Sequence, residues 1–153
     1  MGGRMIGIIL VTHSEFAMGM KKAAEMIAGS QEKLDAISFM EGESIEALSE
    51  KIKETAQRYE DKSEKYVVMV DMHGATPFNA ACLALAQFDT HILTGVNLPM
   101  LLSLLMSRDA DSDYSELLSS CTKDAGESVQ DVGMVEMFGK TKKGEKHDCF
   151  SSM

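Results

Sequence analysis

Ile6-Gly7-Ile8-Ile9-Leu10-Val11-Thr12-His13-Ser14-Glu15-Phe16 is the stretch that decides the fold. Residues 6–12 form a short, nearly unbroken apolar run, the pattern of a strand buried on both faces. From Glu15 the apolar positions take helical spacing, and the helix predicted over residues 15–28 stops at Gly29. A strand that feeds directly into a helix is the first half of a βαβ unit. His13 stands at the seam, at the carboxyl end of a parallel strand and beside a helix N-terminus. Ligands of open α/β sheets bind at that edge, and helix N-termini favour anions. The combination points to phosphate chemistry on an imidazole.

Strand and helix signals keep alternating downstream. Leu34–Phe39 reads as strand two, and Ser44 can cap a second helix whose Ile45, Leu48, Ile52, Thr55 and Tyr59 follow the helical period. Tyr66–Val70 is a continuous apolar third strand. Thr76 followed by Pro77 reads as an N-cap and a first-turn proline, opening a third helix to about Phe88. His91–Thr94 is strand four, Pro99 opens a fourth helix ending near Ser107, and Asp113-x-x-Glu116 is a capping box for a fifth helix that Gly126 terminates. This order predicts an α/β fold: a doubly wound, mostly parallel four-stranded sheet with helices on both faces and right-handed crossovers. Strand order 2-1-3-4 sets strands one and three side by side, with the switch-point crevice at their carboxyl ends.

Residues 127–138 read two ways. Val129, Val132, Val135 and Phe138 fit a helix, whereas Met134-Val135-Glu136-Met137-Phe138 fits a short strand. Beyond them the chain is polar and lysine-rich, so the expected domain is 5–138 and residues 139–153 are an expected disordered basic tail. Residues 1–4 precede the first apolar run and take no part in this reading.

Composition narrows the function classes. The chain has 153 residues, enough for one domain with a sizeable core, and its net charge of −9 argues against non-specific binding to nucleic acid or anionic membranes. An acidic surface suits basic protein partners better. Cys82, Cys121 and Cys149 are far apart, odd in number and without metal-site spacing, which fits a reduced, cytosolic setting. No apolar run approaches the roughly 20 residues that span a bilayer, and the first residues lack a signal-peptide pattern. Of the 13 methionines, Met18, Met20, Met26, Met100 and Met106 fall in predicted helices and read as flexible core filler.

The second suspicious segment follows strand three: Val70-Asp71-Met72-His73-Gly74-Ala75-Thr76-Pro77-Phe78-Asn79. Asp71 occupies on that strand the place His13 occupies on the first. A carboxylate on imidazole Nδ1 fixes the tautomer and leaves the Nε2 lone pair available. It also stabilises a ring that becomes cationic, as on phosphorylation. Backbone amides near Ser14, Glu15 and Phe16, with Gly74 and Ala75 in the second loop, are candidates to hold phosphoryl oxygens. The Thr76 hydroxyl can cap the helix or donate to phosphate. Each residue also has a bland alternative: a strand-end histidine, a turn aspartate, a helix start. The pairing of two adjacent strand ends favours the functional reading.

Rival constellations are weaker. His13, Asp71 and His73 would make a two-His-one-carboxylate metal site only if the strand continued past Gly74. Residues 133–141 resemble a P-loop but place five residues between the glycines where four are required. No metal or cofactor is therefore expected. Cys82 reads as a core residue, and His91, at the opposite end of its strand, as structural.

At these motifs, together with Gly95-Val96-Asn97-Leu98-Pro99-Met100-Leu101, residues 5–126 resemble the enzyme IIA domain of the mannose-family (mannose/fructose/sorbose) phosphoenolpyruvate-dependent sugar phosphotransferase system. The resemblance implies a cytoplasmic phosphocarrier. HPr would donate a phosphoryl group to His13, on Nε2. The group would pass to a separate IIB protein that serves membrane permease subunits, for sugar uptake. It implies that Asp71 orients His13 and that Thr76 lies beside the phosphate. It further implies a homodimer with an added antiparallel strand exchanged between subunits. The phosphotransfer subunit of a dihydroxyacetone kinase is a rival with a similar strand-end histidine. A regulatory binding module of the same fold is another. His73 matches no known requirement of the family.

Overall fold

The structure, a computed structural model, describes residues 5–108 and 113–139. Four strands, β1 (Gly7–His13), β2 (Leu34–Phe39), β3 (Tyr66–Val70) and β4 (His91–Thr94), form one sheet in the order β2-β1-β3-β4, with every pairing parallel. The helices are α1 (Phe16–Ala28), α2 (Ile45–Asp61), α3 (Thr76–Leu85), α4 (Leu98–Ser107), α5 (Tyr114–Glu127) and α6 (Met134–Phe138).

The central strands show why an unbroken apolar run was needed. Ile8 and Leu10 of β1, with Val67 and Met69 of β3, pack into a core closed by Ala17, Met20 and Ala24 of α1, Leu101 and Leu104 of α4, and Leu118 and Cys121 of α5. The alternate residues, Ile9, Val11, Val68 and Val70, face a second core closed by Leu48 and Ile52 of α2 and Ala81 and Leu85 of α3. Each fully buried aliphatic side chain contributes about 1.5–3 kcal/mol of transfer free energy. Gly7 is required at the start of β1 because a Cβ there would overlap the Tyr59 ring, which lies stacked on Tyr66 at 5.4 Å.

Several element ends differ from the sequence expectation. Thr76 is the first residue of α3 rather than its cap; Ala75 holds the cap position and no side chain caps that helix. The helix ends at Leu85, short of Phe88, whose amide closes a turn on the Leu85 carbonyl at 2.9 Å. Gly126 lies inside α5 and not at a positive φ, and the helix ends beyond it at Glu127, with Ser128 as its cap. Residues 134–138 are a short helix rather than a strand, so among the described residues the sheet has four strands and all are parallel. Cys82 is exposed, not core. Met20 and Met100 are buried as expected, but Met18, Met26 and Met106 are exposed. Most of the expected tail, 140–153, lies outside the described residues.

Candidate functional site

The carboxyl ends of β1 and β3 bring His13 and Asp71 together. His13 Nδ1 lies 2.8 Å from Asp71 Oδ2, and the same oxygen accepts the His13 backbone N–H at 2.9 Å. The other carboxylate oxygen accepts the Met72 amide at 3.0 Å, so Asp71 is held on both sides. The His13 side chain is 45% exposed and Asp71 only 12%. The carboxylate is thus largely sheltered while the ring reaches solvent. Nε2 has no partner among the described residues. The Phe39 ring, from the carboxyl end of β2, meets the imidazole edge-on at 5.8 Å.

Local backbone chemistry sets the ring's position. Thr12 is fully buried and its hydroxyl accepts the Ala17 amide at 2.6 Å, which ties the end of β1 to the first turn of α1. Between them Ser14 takes a left-handed φ of 51°. Its amide donates to the Phe39 carbonyl at 2.7 Å, so only its hydroxyl remains for a ligand. The amides of Glu15 and Phe16 carry no hydrogen bond among the described residues and open the N-terminus of α1.

The second loop turns at Gly74, where φ is +80°, a conformation open to glycine and costly for most other residues. Asn79 Nδ2 donates to the Gly74 carbonyl at 3.2 Å and the Asn79 amide to the Ala75 carbonyl at 2.9 Å, fixing the loop on the start of α3. The Gly74 and Ala75 amides and the half-buried Thr76 hydroxyl have no partner among the described residues. Both loops therefore present unengaged donors at the edge that carries Nε2. His73 is exposed and its ring packs on Phe78 at 4.5 Å. His91 packs against Tyr114 at 5.6 Å, at the far end of the sheet. The Gly95–Leu101 motif is structural in its contacts. Asn97 Oδ1 caps α4 through the Met100 amide at 2.9 Å, and its Nδ2 donates to the Ala125 carbonyl at 3.2 Å, joining α4 to the end of α5.

Sequence reasoning missed three contributors: Thr12, Phe39 and Asn79. Phe39 was recoverable, because strand order 2-1-3-4 sets the end of β2 beside His13. The Thr12 and Asn79 bonds depend on loop geometry that spacing does not carry.

A doubly wound parallel sheet with a carboxylate-held imidazole at its switch point defines a ligand-handling α/β domain. A family model described as the PTS system fructose IIA component matches residues 7–122, and the chain belongs to that family. It is 35% identical over 126 residues to the mannose-specific EIIAB component of Escherichia coli, covering 82% of this chain but 39% of that protein's length. It is also 35% identical over 106 residues to the fructose-specific EIIA component of Bacillus subtilis, covering 69% of this chain and 72% of that one. Among solved structures, an EIIA component from Streptococcus agalactiae superposes with a TM-score of 0.71 at 32% identity, covering 83% of this chain and 97% of the other.

Proposed function

We propose that the chain is a cytoplasmic phosphocarrier of a sugar phosphotransferase system that accepts a phosphoryl group from HPr on His13 and passes it to a IIB domain. The observation that carries this reading is the Asp71 carboxylate on Nδ1 with Nε2 left open toward solvent. In the first transfer the Nε2 lone pair attacks phosphorus as the bond to HPr breaks. The Nδ1 proton stays in place on the Asp71 side. The ring becomes cationic and the carboxylate offsets that charge. The Glu15 and Phe16 amides, the Gly74 and Ala75 amides and the Ser14 and Thr76 hydroxyls donate to the phosphoryl oxygens, which are the atoms that gather charge in a loose transition state. In the second transfer the N–P bond breaks, its electrons return to Nε2, and phosphorus passes to the IIB nucleophile. Neither step calls for a metal or nucleotide bound to this chain.

The reading extends to a homodimer. The outer edge of β4 has no neighbouring strand among the described residues, and Val129, between α5 and α6, and Met134 and Val135 of α6 are exposed. Sedimentation or light scattering tests that part: a monomer at micromolar concentration contradicts it. No helix among the described residues is long and apolar enough to cross a membrane. The reading as a whole is tested by incubating the protein with phosphoenolpyruvate, enzyme I and HPr. An acid-labile phosphoryl group should appear and be lost in His13→Ala; label retained in that variant overturns the assignment.

A further inference from the structure

The end of the sheet opposite His13 holds a cavity of about 370 Å³ across the edge strand β2, bounded by α1, residues 31–35 and α2. Four cations line it, Lys21, Lys33, Arg58 and Lys62, against two carboxylates, Asp35 and Glu64. Glu64 is bound to Lys33 at 3.2 Å. Asp35 is engaged by the Tyr59 hydroxyl at 2.8 Å and by Arg58 at 3.6 Å. Lys21 and Lys62 have no carboxylate partner among the described residues. An excess of two positive charges in one concavity is the reverse of the chain as a whole, whose net charge is −9.

The wall of the cavity is fixed from behind. Lys33 is a non-glycine residue in the left-handed region, φ 51°. Such backbone persists only where its surroundings over-determine it, and it clusters at ligand clamps and functional sites. Here the constraint is Arg108, which is 1% exposed. It donates from Nη1 to the carbonyls of Lys33 at 3.0 Å and Ile6 at 3.1 Å, and from Nη2 to Gln31 Oε1 at 3.1 Å and to the Glu32 carbonyl. The backbone that carries Lys33 is therefore held in place before any ligand arrives, which lowers the ordering cost of that part of the wall.

We propose that this cavity binds a small phosphorylated metabolite of the sugar-bisphosphate class, held by Lys21, Lys33, Arg58 and Lys62. Its volume falls in the range of small-molecule sites, roughly 300–1,000 Å³, and its charge calls for a compact polyanion. The surrounding acidic surface disfavours an extended one such as nucleic acid. The proposal stands apart from phosphotransfer at His13 and does not depend on it.

The test is titration of the full-length ¹⁵N-labelled protein with fructose 1,6-bisphosphate, with inorganic phosphate and glucose in parallel, followed by backbone amide shifts. The bisphosphate should give saturable shifts at residues 21, 31–35 and 58–64 that weaken with added salt, and glucose none. The double substitution Lys21→Gln, Lys62→Gln removes two side chains that make no ion pair, so the fold should persist. It should weaken binding by at least about tenfold. Shifts confined to residues 13–16 and 74–76, equal affinity for inorganic phosphate, unchanged binding by the double variant, or no saturable shift at all would each overturn it.

Discussion

One oxygen of Asp71, Oδ2, holds His13 twice, by its backbone N–H at 2.9 Å and by its ring Nδ1 at 2.8 Å. The two residues are not level in the sheet. β1 and β3 pair Val11 with Val70, so Asp71 follows opposite Thr12 and reaches diagonally to the histidine. That offset lets one carboxylate fix both the strand end and the imidazole tautomer, with Nε2 turned away from it.

Asp71→Asn keeps an acceptor for the His13 amide but removes the negative charge beside the ring. Transfer from phosphorylated HPr should slow on the order of a hundredfold, the low end for loss of a positioned acid–base or charge partner, with the urea midpoint nearly unchanged. Quench-flow rates check this. Equal rates for the two proteins would remove Asp71 from the chemistry.

Gly7→Ala introduces a Cβ into space held by the Tyr59 ring. Overpacking of this kind costs about 1–3 kcal/mol, which chemical denaturation can resolve. A loss below about 0.5 kcal/mol would mean that Tyr59, buried and bonded to Asp35, can rotate away freely.

The strands and the site pair were legible because their signals are local. The residues of β1 and β3 are apolar on successive positions, which only a two-faced burial requires, and His13 and Asp71 end those runs. Register, loop satisfaction and helix ends were not legible, for physical reasons. Nothing in the spacing says that Ser14 gives its amide to Phe39. Gly126 reads as a stop, yet a Cβ there would meet nothing and its φ is not positive, so α5 simply continues to Glu127. Thr76-Pro77 leaves the cap ambiguous by one residue, because proline fits the first turn whether Thr76 or Ala75 holds the cap position. Arg108 left no trace at all: one arginine after an apolar helix looks like a solvated end, and its burial depends on carbonyls from Ile6, Glu32 and Lys33, contributed by distant segments.

Arg108→Lys tests that clamp. A lysine ammonium is a point donor and cannot reproduce a planar fork that spans two chain segments. Leaving buried carbonyls unsatisfied should cost at least about 2 kcal/mol, with the largest loss of hydrogen-exchange protection at residues 31–33. Wild-type stability and protection in the lysine variant would show that charge alone suffices.

Alkaline pH should destabilise the fold. Burial raises the Tyr59, Tyr66 and Tyr114 phenols above their ordinary 10.0, and pushes the Cys121 thiol from 9.0 up to about 11. For each group the unfolded chain releases its proton first, so over that interval the folded state binds more protons and stability falls as pH rises. The stabilising contribution is complete below about pH 9, the ordinary thiol value, and declines progressively above it. Urea midpoints measured from neutral pH upward check this. A midpoint that stays level to about pH 10.5, past the ordinary range of both group types, would contradict it.

The carrier position is tested most directly by long-range ¹H–¹⁵N histidine spectra of the protein after phosphorylation by phosphoenolpyruvate, enzyme I and HPr. The His13 ring should carry phosphorus on Nε2 and a proton on Nδ1, with His73, His91 and His147 unmodified. Phosphorus on Nδ1 of His13, or on any other histidine ring, would contradict the role assigned to the His13–Asp71 pair.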